Sequence, residues 1–327
     1  MTMRSHWLAW VAYLLGVFVT LSSARAGLDK PQDRGQDIQL VFVGDVMLAD
    51  TPGKLIRAGK DPFRHFAAEL RDADLTIGNL ECVISAKGRA IDKPYTFRAP
   101  KRALPLLKKY FSAVSLANNH TGDFGKPAFA DMLDTLGKHD IRYFGGGRHL
   151  RDAHTPFIRE IRGKRIGILA YNGFFPRSFE ASENTPGSAW LDEDFVMHDI
   201  RQAKQQLGVD FLIVYPHWGW EYQKLASPRQ REMARLMIDS GADAVVGGHP
   251  HVTQDIEIYN GKPIFYSLGN FVFDGFNDED TRTGWLLRMK LTGDGALDWQ
   301  LLEAKIDRLG VPRPGRTLGP GDFSNTK

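Results

Sequence analysis

Five short segments of this 327-residue chain carry carboxylates, amides and imidazoles in the combination a two-metal hydrolase uses. They are Gly44-Asp45-Val46-Met47, Gly78-Asn79-Leu80-Glu81, Ala117-Asn118-Asn119-His120, Pro216-His217-Trp218-Gly219 and Gly247-Gly248-His249-Pro250-His251. Each follows an apolar, β-rich run such as Ile38 to Val43 or Phe211 to Tyr215, so the polar residues should fall on loops at strand ends. That is where α/β proteins place their chemistry.

Taken singly, each segment has an ordinary structural reading. Asp45 after Gly44 could be a turn or cap aspartate as well as a metal ligand. His249 and His251 form an H-x-H pair that extended backbone would aim to one side, with Pro250 stiffening it. Asn119 offers an amide oxygen to a metal, and the adjacent His120 an imidazole to orient a phosphate or carboxylate. His217 stands among Trp218, Trp220 and Tyr222, where a core histidine is the usual explanation. Glu81 is long enough to bridge two cations; Asn79, two residues earlier, competes with it, and Glu81 is favoured. Jointly, Asp45, Glu81, Asn119, His217, His249 and His251 are expected to hold metal, with His120 and His217 catalytic. The set lacks thiolate, which suits one or two ions of Mn, Fe, Zn or Mg. Cys82 reads as a small buried residue. Tyr95, Phe97, Trp218 and Tyr222 either line the pocket or pack.

The elements that must position these residues alternate. Helical spacing over 63–72, 102–111, 127–139, 194–207 and 228–240 leads each time toward a strand-like run. Residues 156–170 read as two strands around Arg162-Gly163-Lys164. After Gln254 the period becomes two, with hairpin signals at Asn260-Gly261 and Gly293-Asp294-Gly295. The expected architecture is α/β, with two sheets packed face to face and helices outside. Loops should cover 88–100 and 174–187, and the Pro- and Gly-rich stretch 310–327 should be a flexible tail.

Composition is that of a globular protein, 43% apolar and 25% charged. Residues 1–26 read as a signal peptide: Arg4 and His6, an apolar stretch from Trp7 to Leu21, then Ala24-Arg25-Ala26. The stretch is short against the roughly twenty residues of a bilayer span, although an uncleaved segment would allow membrane association. Export to the periplasm or beyond is therefore expected, with a linker over 27–37 and the domain over 38–309. Losing Arg4 and Arg25 lowers the formal charge from +3 to 3 − 2 = +1. Such mixed, balanced charge provides no basic stripe for nucleic acid. The chain also lacks a G-x-S-x-G elbow, a G-x-x-x-x-G-K-[ST] loop and a strand-linked G-x-G-x-x-G.

In combination, Ala117-Asn118-Asn119-His120-Thr121, His217-Trp218-Gly219-Trp220-Glu221-Tyr222 and Gly248-His249-Pro250-His251-Val252, followed by Tyr266-Ser267-Leu268-Gly269-Asn270-Phe271, resemble the CapA family of capsule and poly-γ-glutamate synthesis proteins. The domain of that family is similar to calcineurin-like metallophosphatases, and the resemblance covers about Ile38 to Asp274. It implies a four-layer sandwich of two central mixed sheets flanked by helices, with a metal cluster over the strand ends. Asp45 then matches the first aspartate, Asn119 with His120 the amide–histidine pair, His217 the lone histidine, and His249 with His251 the closing pair. Met47 stands where metallophosphatases usually have histidine, and Gly78-Asn79-Leu80-Glu81 replaces the bridging aspartate motif. The function implied is capsule or poly-γ-glutamate biosynthesis or export with a metallophosphatase-like site. Its partners would be an anionic extracellular polymer or the membrane synthase complex. A periplasmic metal-dependent phosphoesterase or amide hydrolase on a small substrate is the alternative, and so is a non-catalytic assembly factor with a relic site.

Overall fold

The computed structural model describes residues 37–323; the expected signal peptide over 1–26 and most of the expected linker over 27–37 lie outside them. Strand β1 (Ile38–Val46) shows why two sheets form. Its residues Ile38, Leu40 and Phe42 point into one core and Val41 and Val43 into another, so both faces are buried and the run reads as continuously apolar. β1 lies centrally in an eight-stranded sheet with β2 (Leu75–Leu80), β3 (Ala113–Ser115), β4 (Tyr143–Phe144), β13 (Asn270–Val272), β14 (Thr283–Leu291), β15 (Leu297–Ile306) and β16 (Pro312–Leu318). β1 to β4 and β13 run parallel to one another, whereas β14, antiparallel to β1, leads an antiparallel flank of β14 to β16.

The second sheet has six strands in the order β11 (Ile256–Tyr259), β12 (Lys262–Phe265), β10 (Ala244–Val246), β9 (Phe211–His217), β7 (Lys164–Asn172) and β6 (Phe157–Ile161). Short strands β5 (Gly146–Gly147) and β8 (Gly187–Ser188) pair separately. Helices α1 (Asp50–Arg57), α2 (Ala67–Arg71), α3 (Leu104–Tyr110) and α4 (Gly125–Lys138) cover the first sheet. Helices α5 (Leu150–Ala153), α6 (Glu193–Gln205) and α7 (Pro228–Ser240) cover the second. Three apolar cores separate the layers, and the central one joins Phe42 and Ile77 of the first sheet to Ile213 and Phe265 of the second. This is the four-layer α/β arrangement expected. Across the central core the Tyr215 hydroxyl donates to the Val43 carbonyl at 2.6 Å, each two residues ahead of a site residue, His217 and Asp45.

Three local outcomes differ from the sequence reading. Helix α1 forms across Pro52 and Gly53, because proline in the first turn lacks only an N–H that has no helical partner there. The 63–72 stretch is broken into a 3₁₀ turn (Arg64–Phe66) and α2. The tail expected to be loose contains β16, antiparallel to β15 and fixed by Arg316 to Glu303 at 2.9 Å. An edge strand tolerates Pro312 and Pro314 because one side of its backbone needs no partner.

Candidate metal centre

The centre sits beyond the C-terminal ends of β1, β2, β3, β9 and β10, where the two sheets meet. Asp45, Asn79 and His217 are in β1, β2 and β9 themselves rather than on the loops expected. The ladder to β2 runs Phe42 opposite Ile77 and then Asp45 opposite Asn79, so three steps on β1 face two on β2. This bulge re-aims the aspartate. Gly44 permits it: a Cβ there would stand 1.8 Å from the Gly269 carbonyl oxygen.

Asp45, Glu81 and His217 each present a ligand atom within 4.8 Å of the others, and all three are buried. The Asn79 amide nitrogen lies between the two acids, donating to Asp45 Oδ1 at 2.9 Å and Glu81 Oε2 at 3.2 Å. His249 joins through Nδ1, 3.2 Å from His217 Nε2, and its backbone N–H donates to Asp45 Oδ2 at 3.3 Å. His251 places Nδ1 3.7 Å from Asp45 Oδ2 and Nε2 4.0 Å from Glu81 Oε1. Asn119 Oδ1 is 2.9 Å from His217 Nε2, and His120 Nε2 is 3.8 Å from Glu81 Oε1. All seven residues singled out in the sequence are thus brought together.

The histidine pair converges by a different route from the extended backbone expected. His249 has φ 98° and His251 φ 58°, both in the left-handed region that non-glycine residues avoid. Strain of this kind is retained at functional sites where surrounding contacts over-determine the loop.

The donors fit a divalent cation. Glu81 Oε1 is buried with no hydrogen-bond partner among the described residues, and an orphaned buried acceptor is costly unless something fills it. Burial pushes the Asp45 carboxyl up, and burial together with the Asp45 charge holds Glu81 well above the usual carboxylate range. Burial also drives His217 and His249 well below the normal imidazole value, and His120 down to about 4. Buried imidazoles beside buried acids are a nitrogen and oxygen donor set that fits a divalent cation.

Several supporting residues escaped the sequence reading. Asn118 donates to Asn79 Oδ1 at 2.9 Å and accepts the His120 N–H at 3.0 Å, fixing both neighbours. Asp123 lies 2.8 Å from His120 Nδ1, which leaves Nε2 as the nitrogen facing the centre. Lys93 donates to Asp123 Oδ1 at 2.7 Å and to the Asn119 carbonyl at 3.0 Å. Asn270 Oδ1 is 2.9 Å from His251 Nδ1. Asp123, three residues after His120, and Asn270, inside a quoted motif, carried a signal in their spacing; Lys93 carried none beyond its place in a long loop.

Phe97 stacks on His120 with ring centroids 4.3 Å apart, and Tyr222 stands 6.5 Å from His251. Tyr95 is exposed. Trp218 belongs to the outer core, its indole donating to the Tyr266 carbonyl at 2.9 Å. Cys82 is buried and its thiol is pushed up to about 12, so it stays a thiol. Met47 packs in the other outer core, its sulfur accepting the Ala49 N–H at 3.1 Å.

The model of the bacterial capsule synthesis protein family PGA_cap matches residues 39–275, which contain every residue of the centre. The chain belongs to this family. It is 31% identical over 289 residues to the capsule biosynthesis protein CapA of Bacillus anthracis, covering 85% of this chain and 70% of that one. With the PGA biosynthesis protein CapA of Bacillus subtilis it shares 34% over 265 residues, 79% and 69% of the two chains. Among solved structures, the NAD nucleotidase NadN of Haemophilus influenzae superimposes with a TM-score of 0.48 at 13% identity, over 80% of this chain and 55% of that one. Within PGA_cap this chain thus carries a buried oxygen and nitrogen donor cluster in which Met47 takes no part.

Proposed function

We propose that this PGA_cap protein is an exported component of extracellular polymer production, of poly-γ-glutamate or a capsule, and that its metal-binding centre binds or hydrolyses the polymer. Family membership and the names of the CapA relatives support the polymer; the sequence of residues 1–26 supports export to the periplasm or cell surface. The observation that carries the site is the convergence of Asp45, Glu81 and His217 within 4.8 Å. These residues, with His249 and His251, would hold a divalent cation, which would supply positive charge to polarise a phosphoryl or acyl oxygen and make water more acidic. Around it, Asn79 donates to both acids and holds them side by side, and Asp123 holds His120 so that Nε2 can take or give a proton at the reacting group.

The test combines metal analysis with polymer output. Purified protein should bind manganese or zinc. His217→Ala and Glu81→Gln should lower the affinity at least a hundredfold and abolish polymer production in cells that depend on this chain. A metal-free protein whose variants leave output unchanged would overturn the reading. The burial of Met47 in the core favours a second reading, a centre with one firmly held ion that assembles the synthase without turnover. There the same variants would stop polymer output, while no phosphate ester or γ-glutamyl amide would be hydrolysed under any metal.

A further inference from the structure

Beside the centre lies a recess of about 210 Å³ walled by Phe174, Phe175, Trp190 and Trp220, with Trp218 and Met233 behind. It adjoins the centre: Phe174, one of its walls, packs on the His249 ring at 3.9 Å and the Gly173 N–H donates to the His217 carbonyl at 2.8 Å. The rings stand at angles that make a box: Phe174 is edge-on to Trp220 at 5.9 Å, and Phe175 is tilted to Trp190 at 6.1 Å. Phe175 and Trp220 are 65% and 62% exposed. Two large apolar side chains held in water at the mouth of a polar centre mark a contact surface for something that binds there.

We propose that this recess is a subsite for one uncharged pyranose unit of the molecule whose reacting group lies at the metal centre. The inference rests on the reading that a substrate group reaches that centre, and it narrows what flanks the group. Three observations decide the class. The aromatic faces carry the negative side of a ring quadrupole, which favours C–H faces and disfavours carboxylates. The rim charge is already spent: Arg229 is paired with Glu193 at 2.6 Å and Glu232 at 2.9 Å, and Arg177, over Trp190, with Glu180 at 2.8 Å. Arg229 and its two acids set donors and acceptors side by side as hydroxyl groups require. The volume falls below the roughly 300 Å³ at which pockets for whole ligands begin, so it fits one unit of a longer molecule. A pyranose has a flat C–H face and a hydroxyl edge, the two features this wall and this rim match.

The test is calorimetric titration of the manganese-loaded chain with uncharged tetrasaccharides built on glucose, galactose and N-acetylglucosamine, and with a γ-linked glutamate tetramer. At least one saccharide should bind, and Trp220→Ala and Phe175→Ala, at exposed positions, should each weaken it at least tenfold with manganese affinity unchanged. Binding by none of the saccharides, or binding indifferent to both variants, would overturn the subsite. So would a glutamate tetramer that loses affinity with Trp220→Ala, since the recess would then serve a charged chain. Manganese binding is read on the same samples without sugar, so failure of the metal centre and failure of the subsite register separately.

Discussion

The two sheets bring different chemistry to the centre. The ends of the first sheet supply both acids and the amides, Asp45, Asn79, Glu81, Asn118 and Asn119, along with His120; the ends of the second supply His217, His249 and His251. Neither half is a site alone. Acids without imidazoles, or imidazoles without acids, leave buried donors with half a coordination shell. Cation binding at this centre would therefore be tied to the packing of one sheet on the other across the central core, and a bound ion should stabilise the sandwich by mass action, about 4 kcal/mol at a thousandfold excess over its Kd.

The strongest way to break this coupling is to loosen the central core without touching a donor. Phe42 is fully buried there, 6.1 Å from the Tyr215 ring. Phe42→Ala should cost about 3–5 kcal/mol of stability, measured by denaturant unfolding. Because Asp45 and His217 lie three and two residues further along those strands, it should also weaken cation binding. Phe66→Ala, in the outer core of the first sheet alone, should destabilise comparably and leave cation affinity nearer to wild type. Equal losses of affinity in the two variants would show that the sheets are not coupled through the ion.

A pH titration sharpens the same contrast. In the metal-free protein burial lowers His120 from 6.5 to about 4. A group whose folded value is depressed contributes stability that is present above the unfolded value and lost as pH falls through the folded one. Unfolding free energy should thus fall by on the order of 3 kcal/mol between pH 6.5 and about 4 from this residue. The acids act oppositely: with Asp45 and Glu81 raised, their contribution is full below the unfolded carboxylate range and is lost as pH rises. A bound cation should remove the second effect, so chelator should destabilise the protein more at pH 8 than at pH 5. Thermal unfolding at both pH values, with and without chelator, checks the sign.

Much of this was legible in the sequence, for a physical reason. Strands buried on both faces, such as β1 and β9, announce themselves as unbroken apolar runs, and the polar residue that ends each run stands out against them. What could not be read depends on contacts far apart in the chain. The bulge that turns Asp45 inward requires the Gly269 carbonyl to sit against Gly44, and the positive φ of His249 and His251 is imposed by their surroundings. Lys93 and Phe174 have no periodicity to betray them, and β16 is held by its neighbour rather than by its own propensity.

The smallest expected effect concerns one of the hydrogen bonds that cross between the sheets, from Asn270 to His251. Asn270 opens β13 of the first sheet, opposite Asp45 in register, and its Oδ1 meets Nδ1 of His251 from the second sheet's loop. The contact keeps the proton on Nδ1 and turns Nε2 toward Glu81, the role of an outer-shell partner, whose loss typically costs 10- to 100-fold in metal affinity. The same amide donates to the His251 carbonyl at 3.2 Å and to the Thr281 carbonyl at 2.9 Å, so Asn270→Ala also strands two buried acceptors. Asn270→Asp separates the two roles, because it keeps an oxygen for Nδ1 and loses the donors. Calorimetric manganese titration should show Ala weakened within that range and Asp close to wild type, while both variants lose thermal stability. If Asp binds as weakly as Ala, the asparagine serves the loop backbone and the His251 tautomer is set elsewhere.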